Sequence, residues 1–223
     1  TEVVDDVRFD RAAYAGRNVI LYGHAEMNAA WGALVGPGPV TGHIRHATTF
    51  LAQMSEPGRV LDLGSGGGVP GLVLAVALRS TSFVLLDAMQ RRCRFLDDAV
   101  TALGLSSRVS VRCGRAEELA HDPALRAQFD VVVVRSFGPA AVAAECAVGF
   151  VAPSTGRVLV SEPPSSDPGR ASRWPTGGLG TLALELGDRW STSHGTVQVL
   201  RSTGVVDERF PRRTGVPAKR PLF

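Results

Sequence analysis

The sequence lacks long apolar runs and contains little cysteine. No run approaches the about 20 apolar residues that a membrane-spanning helix needs, and the first six residues include three acids, unlike a secretory signal. The three cysteines, Cys93, Cys113 and Cys146, are odd in number and have no metal-ligand spacing. We therefore expect reduced thiols, no metal site, no membrane association and a cytoplasmic location.

The composition is otherwise that of a globular protein with a substantial core. Of 223 residues, 44% are hydrophobic and 20% are charged, which excludes disorder or a coiled coil as the main architecture. The net charge of +3 permits a nucleic-acid partner without requiring one.

Short apolar runs alternate with helix-length amphipathic segments in the middle of the chain. Strands are predicted over 60–63, 83–86, 109–113, 129–134 and 157–161, and helices over 70–79, 90–104, 117–128 and 140–151. This alternation predicts a parallel sheet. Residues 1–56 favour helix, and 163–175 form a Pro- and Ser-rich loop. Strands over 179–186 and 196–200 are expected to pair antiparallel at one edge, and the basic, Pro-rich tail 208–223 to be extended.

A glycine-rich turn follows the first predicted strand of the sheet. Residues 62–71 read DLGSGGGVPG, and glycines there let the chain double back and let a ligand approach the main chain. Loops at the carboxyl ends of parallel strands are where doubly wound folds bind cofactors. From Gly66 onward the same residues satisfy G-x-G-x-x-G, so NAD is one alternative, and a tight turn without a ligand is another.

Two carboxylates favour S-adenosylmethionine over NAD. Asp62 directly precedes the turn and would repel a pyrophosphate, whereas it suits a ligand with a sulfonium and an ammonium group. Asp87 ends the second strand, where a carboxylate can accept both ribose hydroxyls, although NAD enzymes also place an acid there.

The motifs together resemble the GidB family of guanine-N7 methyltransferases, which act on small-subunit ribosomal RNA. The glycine turn is similar to the family's D-x-G-[ST]-G-x-G-x-P-G, residues 85–92 to its L-L-D-S-L-x-K-R, and residues 114–118 to its G-R-A-E-E. Residues 134–137 resemble its S-R-A, and the tail from Phe210 to Pro221 resembles a tail found in many members.

The resemblance implies a class I methyltransferase fold, which is Rossmann-like α/β. This fold has a seven-stranded, mostly parallel sheet with helices on both faces and a helical cap before it. We expect the cap at 1–56, the S-adenosylmethionine-binding domain at 57–207 and the basic tail at 208–223. The implied cofactor-binding residues are Asp62, Gly64, Ser65, Gly66, Gly68, Val69, Asp87, Ala88, Ala116, Glu117 and Arg135. Among them Asp87 would hold the ribose and Ala116–Glu117 would frame the adenine.

No general base is expected, because guanine N7 carries a lone pair and no proton. The step then depends on orientation and close approach. Arg135 is the best candidate for positioning the substrate, and the alternative is an ion pair with a carboxylate such as Asp62. RNA contacts are assigned to Arg45, His46, Arg212, Arg213, Lys219 and Arg220. A surface arginine, a half-buried histidine and a tail docked on the protein itself are the alternatives.

Departures from the family pattern concern the substrate side. The family's W-N-x-x-x-N-L-T stretch is not recognisable, Thr49 stands where an acid follows Arg45-His46, and Glu162-Pro163 replaces the usual K-G. The cofactor motifs are retained, so the sequence supports methyl transfer more strongly than the particular RNA target. The prediction is a methyltransferase acting on 16S ribosomal RNA. The alternatives are the same fold acting on a small molecule or another RNA, or a non-catalytic relative that keeps the cofactor pocket.

Overall fold

The computed structural model describes residues 2–4, 19–21, 39–54, 57–162 and 173–223. The strands in chain order, β1 to β9, are Glu2–Val4, Val19–Leu21, Arg59–Leu63, Ser82–Asp87, Val109–Cys113, Val131–Val134, Arg157–Glu162, Leu184–Thr192 and Gly195–Ser202. The helices, α1 to α7, are Pro39–Leu51, Gly71–Ala77, Gln90–Ala102, Ala116–Leu119, Ala140–Val148, Thr176–Thr181 and Val216–Lys219.

Seven strands form one sheet in the order β5-β4-β3-β6-β7-β9-β8. The first five are parallel, and β9 pairs antiparallel with both β7 and β8. Strand β6 consists of four valines, all buried, as expected for a central strand covered on both faces. The predicted fold class and the antiparallel pair at one edge are confirmed. Parallel pairing places the ends of β3, β4, β6 and β7 along one rim of the sheet.

Helices pack on both faces of the sheet. Helices α1, α2 and α3 cover one face around Phe50, Leu72 and Leu96. Helix α5 covers the other face together with α4, α6 and the tail, which inserts Phe210 into the core. Helix α5 is buried on nearly every side and is rich in alanine, which fits its central position in that layer. In the described part of the chain, no helix has the length and apolarity to cross a bilayer.

Four predictions of local structure need correction. Within 1–56, helix forms at Pro39–Leu51, but Glu2–Val4 pairs with Val19–Leu21 as parallel strands; the other residues of the predicted cap before Pro39 lie outside the described residues. The helix over 117–128 is limited to Ala116–Leu119, since Pro123 disfavours helix in the residue before it. Residues 179–181 end a helix rather than begin a strand, and the tail contains the short helix Val216–Lys219.

Candidate active site

The glycine turn folds back onto the end of the neighbouring strand. The amides of Gly64 and Ser65 both donate to the Leu86 carbonyl, at 2.8 and 2.9 Å. The Gly66 amide donates to Asp87 Oδ2 at 2.9 Å. The turn after β3 and the acid that ends β4 therefore meet at one rim of the sheet, where the sequence predicts a cofactor crevice.

The glycines of this turn serve two purposes. Gly64 and Gly68 have φ values of +74° and +83°, and a Cβ on either would collide with Phe137 or Leu72, respectively. Gly66 also has a positive φ, but a Cβ there would meet only the Gly64 carbonyl, and one on Gly67 would meet nothing within 4 Å. The main chain at Gly66 and Gly67 is thus open to a ligand, while Gly64 and Gly68 give the turn its shape.

Asp62 lies beneath the glycine turn and is buried. It is 1% exposed, and its Oδ2 accepts the Gly71 amide at 3.0 Å. Burial raises the pKa of Asp62 to about 7, Arg135 opposes this rise, and the Asp87 charge adds to it. The sequence predicts that this carboxylate suits a cationic ligand. In the structure Asp62 is buried and holds the start of α2 through the Gly71 amide.

Asp87 organises the loop around it. Its Oδ1 accepts the Met89 amide at 2.8 Å, and Arg92 Nη1 lies 3.5 Å from Oδ2. Asp87 is 3% exposed, and each carboxylate oxygen has two acceptor sites, so these bonds do not use all of its acceptor capacity. Ala88 follows Asp87 and is exposed beside the turn.

Arg135 follows β6 and reaches the glycine turn. Its Nη1 donates to the Val69 carbonyl at 3.4 Å, so the predicted residues Val69 and Arg135 are in contact. Within the described residues Arg135 forms no ion pair with Asp62, although that carboxylate opposes the lowering of the Arg135 pKa that burial causes. The guanidinium therefore lies at the rim of the sheet, beside the glycine turn.

The predicted adenine-framing residues lie at the start of α4. The Gly114 amide donates to the Asp87 carbonyl at 3.0 Å, which joins the end of β5 to Asp87, the acid predicted to hold the ribose. Ala116 is buried at 4% exposure, and Glu117 Oε1 accepts the Gly215 amide at 3.0 Å. This bond to the tail joins residues 98 positions apart and has no signal in the local sequence.

Of the six residues predicted to contact RNA, four are exposed and two, His46 and Arg212, are half-buried. Arg45 is exposed on α1, and His46 is half-buried with Nε2 3.2 Å from Ser161 Oγ. These are the placements given as the alternative to RNA contact. Of the four predicted RNA-contacting residues in the tail, the exposed ones are Arg213, Lys219 and Arg220. Arg212 is turned inward and forms an ion pair with Glu145 at 2.6 Å.

Two further features of this region were missed or misread from the sequence. A disulfide joins Cys93 to Cys113, whose Cα atoms are 5.8 Å apart, so the expectation of reduced thiols is wrong for this pair; Cys146 is free and buried. A signal was available, because Cys93 lies in the first turn of the helix that follows β4 and Cys113 ends β5, the neighbour of β4 in the sheet. Glu162, which replaces the family's lysine, accepts bonds from Arg173 and Trp174 at 2.8 and 3.0 Å.

Comparisons with known proteins agree with this geometry. Residues 40–161 match the family model GidB, described as rRNA small subunit methyltransferase G. A protein of that name from Synechococcus sp. (strain RCC307) is 37% identical over 75% of this chain and 72% of its own length. Another, from Prochlorococcus marinus (strain MIT 9313), is 38% identical over 77% and 71%, respectively.

A solved structure supports the fold independently. A SAM dependent methyltransferase from Aquifex aeolicus superposes with a TM-score of 0.52 at 15% identity, covering 74% of this chain and 93% of that one. At this identity the likeness concerns the fold alone. The sheet order, the glycine turn facing Asp87 and the family match lead to one conclusion: this chain belongs to the GidB family of small-subunit ribosomal RNA methyltransferases.

Proposed function

We propose that this protein transfers the methyl group of S-adenosylmethionine to N7 of a guanine in 16S ribosomal RNA. The single observation that carries the proposal is that Asp87 and Arg135 both contact the glycine turn at one rim of the sheet, beside the unobstructed main chain at Gly66 and Gly67. It occurs inside the segment that matches the family model. The reaction would take place where small ribosomal subunits are present, in the cytoplasm.

The residues of the crevice fit S-adenosylmethionine. The turn offers backbone to the ligand at Gly66 and Gly67, where no side chain blocks approach. Asp87 retains acceptor capacity for the ribose, and the buried Asp62 carboxylate favours a cation nearby. The cofactor would supply an electrophilic methyl group on a positively charged sulfur. The proposed holding residues are those predicted from the sequence, with Asp62 acting at a distance.

The protein's contribution to the chemistry is orientation. Guanine N7 has a lone pair and no proton, so no side chain must remove one. Arg135, fixed by its bond to the Val69 carbonyl, would hold a phosphate or base edge so that N7 approaches the methyl group in line. Arg45, Arg213, Lys219 and Arg220 are exposed and are proposed to contact phosphates, whereas Arg212 is left out because Glu145 binds it.

The test measures transfer of a labelled methyl group to intact small subunits, naked 16S RNA and bulk transfer RNA. The RNA is then digested and the modified nucleoside is identified by mass spectrometry. We expect 7-methylguanosine from a single 16S site. The departures at Thr49 and Glu162 keep a different RNA as the second candidate; label in transfer RNA alone would favour it, and cofactor binding without any transfer would favour a non-catalytic relative.

Substitution of Arg135 separates positioning from folding. Arg135→Ala is expected to lower turnover at least tenfold, because the guanidinium would no longer orient the substrate, while its thermal unfolding midpoint stays close to that of the wild type. Arg135→Lys keeps the charge without the planar fork and should fall between the two. Wild-type turnover by Arg135→Ala would reject the positioning role.

A further inference from the structure

The helix beside the predicted adenine site is too short to hold its own position. Helix α4 has four residues, and its N-cap residue, Arg115, makes no side-chain capping bond. A single helical turn is not stable in isolation, because the cost of nucleating it exceeds the gain from its few hydrogen bonds. Contacts from other parts of the chain must therefore fix α4.

The tail supplies three such contacts within five residues of its sequence. The Gly215 amide donates to Glu117 Oε1 at 3.0 Å, and Thr214 Oγ1 donates to Glu118 Oε1 at 2.8 Å. Just beyond the helix, His121 Nε2 lies 2.9 Å from the Pro211 carbonyl. Both acidic residues of α4 are thus held by the same short segment.

An ion pair with a buried carboxylate anchors that segment to helix α5. Glu145 on α5 is fully buried and accepts three bonds from Arg212: from its amide at 2.9 Å, from Nε at 2.8 Å and from Nη2 at 2.6 Å. The same Nη2 also donates to the Arg220 carbonyl at 2.7 Å. Arg212 therefore fixes the tail two residues before Thr214 and three before Gly215.

The held end of α4 borders the cofactor crevice. Gly114, two residues before Ala116, donates to the Asp87 carbonyl, so a displacement of α4 changes the distance between the ribose acid and the first turn of that helix. We propose that the tail positions the adenine site, with Arg212 as the positioning residue and Thr214 and Gly215 as its contacts to α4. This inference rests on the proposed function and adds that the tail sets selectivity for adenine.

Binding of two ligands that differ only in the base tests the inference. S-adenosylhomocysteine and S-inosylhomocysteine share the ribose and the amino acid, but hypoxanthine reverses the hydrogen-bonding pattern of the adenine edge. Calorimetry with the full chain gives both dissociation constants. The ratio compared between variants is the dissociation constant of S-inosylhomocysteine divided by that of S-adenosylhomocysteine. A tail that only stabilises the fold would leave that ratio unchanged.

Arg212→Lys is the main variant, and Arg209→Lys is its matched control. The lysine keeps a charge near Glu145 but loses the planar fork. Arg209 is in the same segment, exposed, and pairs only with the exposed Asp207 among described acids. For Arg212→Lys we expect at least fivefold weaker binding of S-adenosylhomocysteine, less than twofold change for S-inosylhomocysteine, and so a smaller ratio. Both affinities should stay within twofold of wild type in Arg209→Lys.

Thr214→Val keeps the inference testable if Arg212→Lys does not fold. It removes the hydroxyl donor to Glu118 at similar volume and leaves the ion pair intact; we expect a two- to fourfold reduction of the ratio. A folded variant of either kind with an unchanged ratio overturns the inference while leaving the proposed function standing. A wild-type chain that binds neither ligand overturns both. Loss of RNA methylation alone, with the ratio behaving as expected, overturns only the proposed function.

Discussion

Asp87 is the residue on which cofactor binding is expected to depend most directly. Its two oxygens already hold the Gly66 and Met89 amides, so it shapes the loop in addition to its proposed role as acceptor for the ribose. Asp87→Ala removes charge-assisted hydrogen bonds worth about 1.5–3 kcal/mol each. We expect S-adenosylhomocysteine to bind at least tenfold more weakly, as measured by calorimetry. Unchanged affinity in a folded variant would refute the ribose role.

Asp62 makes stability depend on pH through its raised pKa. In the unfolded chain it ionises near 3.8, and in the folded chain near 7. Between these pH values unfolding releases a proton from Asp62. The contribution of Asp62 to the free energy of unfolding is therefore complete below about pH 4 and falls as the pH rises to 7, by up to about 1.4 kcal/mol per pH unit.

Asp62→Asn removes this ionisation while its amide oxygen can still accept the Gly71 amide. Urea unfolding at several values between pH 4 and pH 8 should therefore show a steeper loss of stability in the wild type than in Asp62→Asn. Parallel pH profiles would mean that Asp62 is not protonated in the folded state.

At the scale of elements, the turn between β3 and α2 depends on where each glycine lies. Gly68→Ala places a side chain at φ +83° and against Leu72, so we expect a loss of at least about 1–2 kcal/mol from the backbone alone. Gly67→Ala is the adjacent control, since its Cβ would meet nothing within 4 Å. Thermal unfolding should separate the two, and equal midpoints would contradict the assigned roles.

Elements whose residue types are set by local demands could be predicted from the sequence, whereas contacts between distant residues could not. The strand Val131–Val134 and the glycine turn were predictable because their residue types are dictated by local demands, namely burial on both faces and positive φ. The sequence predicts helix over 117–128 because this segment is rich in helix-forming residues, but α4 ends at Leu119, ahead of Pro123. The Glu117–Gly215 bond joins residues 98 positions apart, and no local pattern records such a contact.

At the scale of the whole molecule, the Glu145–Arg212 pair ties the tail to the core. Arg212→Met leaves the buried Glu145 carboxylate without the guanidinium and with only the main-chain amide of residue 212, and we expect a cost of about 3–5 kcal/mol. Glu145→Met is expected to cost less, because the Arg212 side chain is 25% exposed and can turn towards water. The double variant should recover most of the loss.

Urea unfolding of the two single variants and the double variant measures this coupling. Costs that are equal and simply additive would show that the pair does not act as a unit. Arg209→Met serves as the surface comparison, with a change within about 0.5 kcal/mol.

The inward-facing Arg212 also bears on how the protein would tolerate damage. Proteolytic removal of residues 208–223 would leave the Glu145 carboxylate buried without Arg212 and would remove the tail contacts to Glu117 and Glu118 on α4. We therefore expect that a clipped molecule would not persist as a folded protein. It would lose structure and binding together and become a target for degradation.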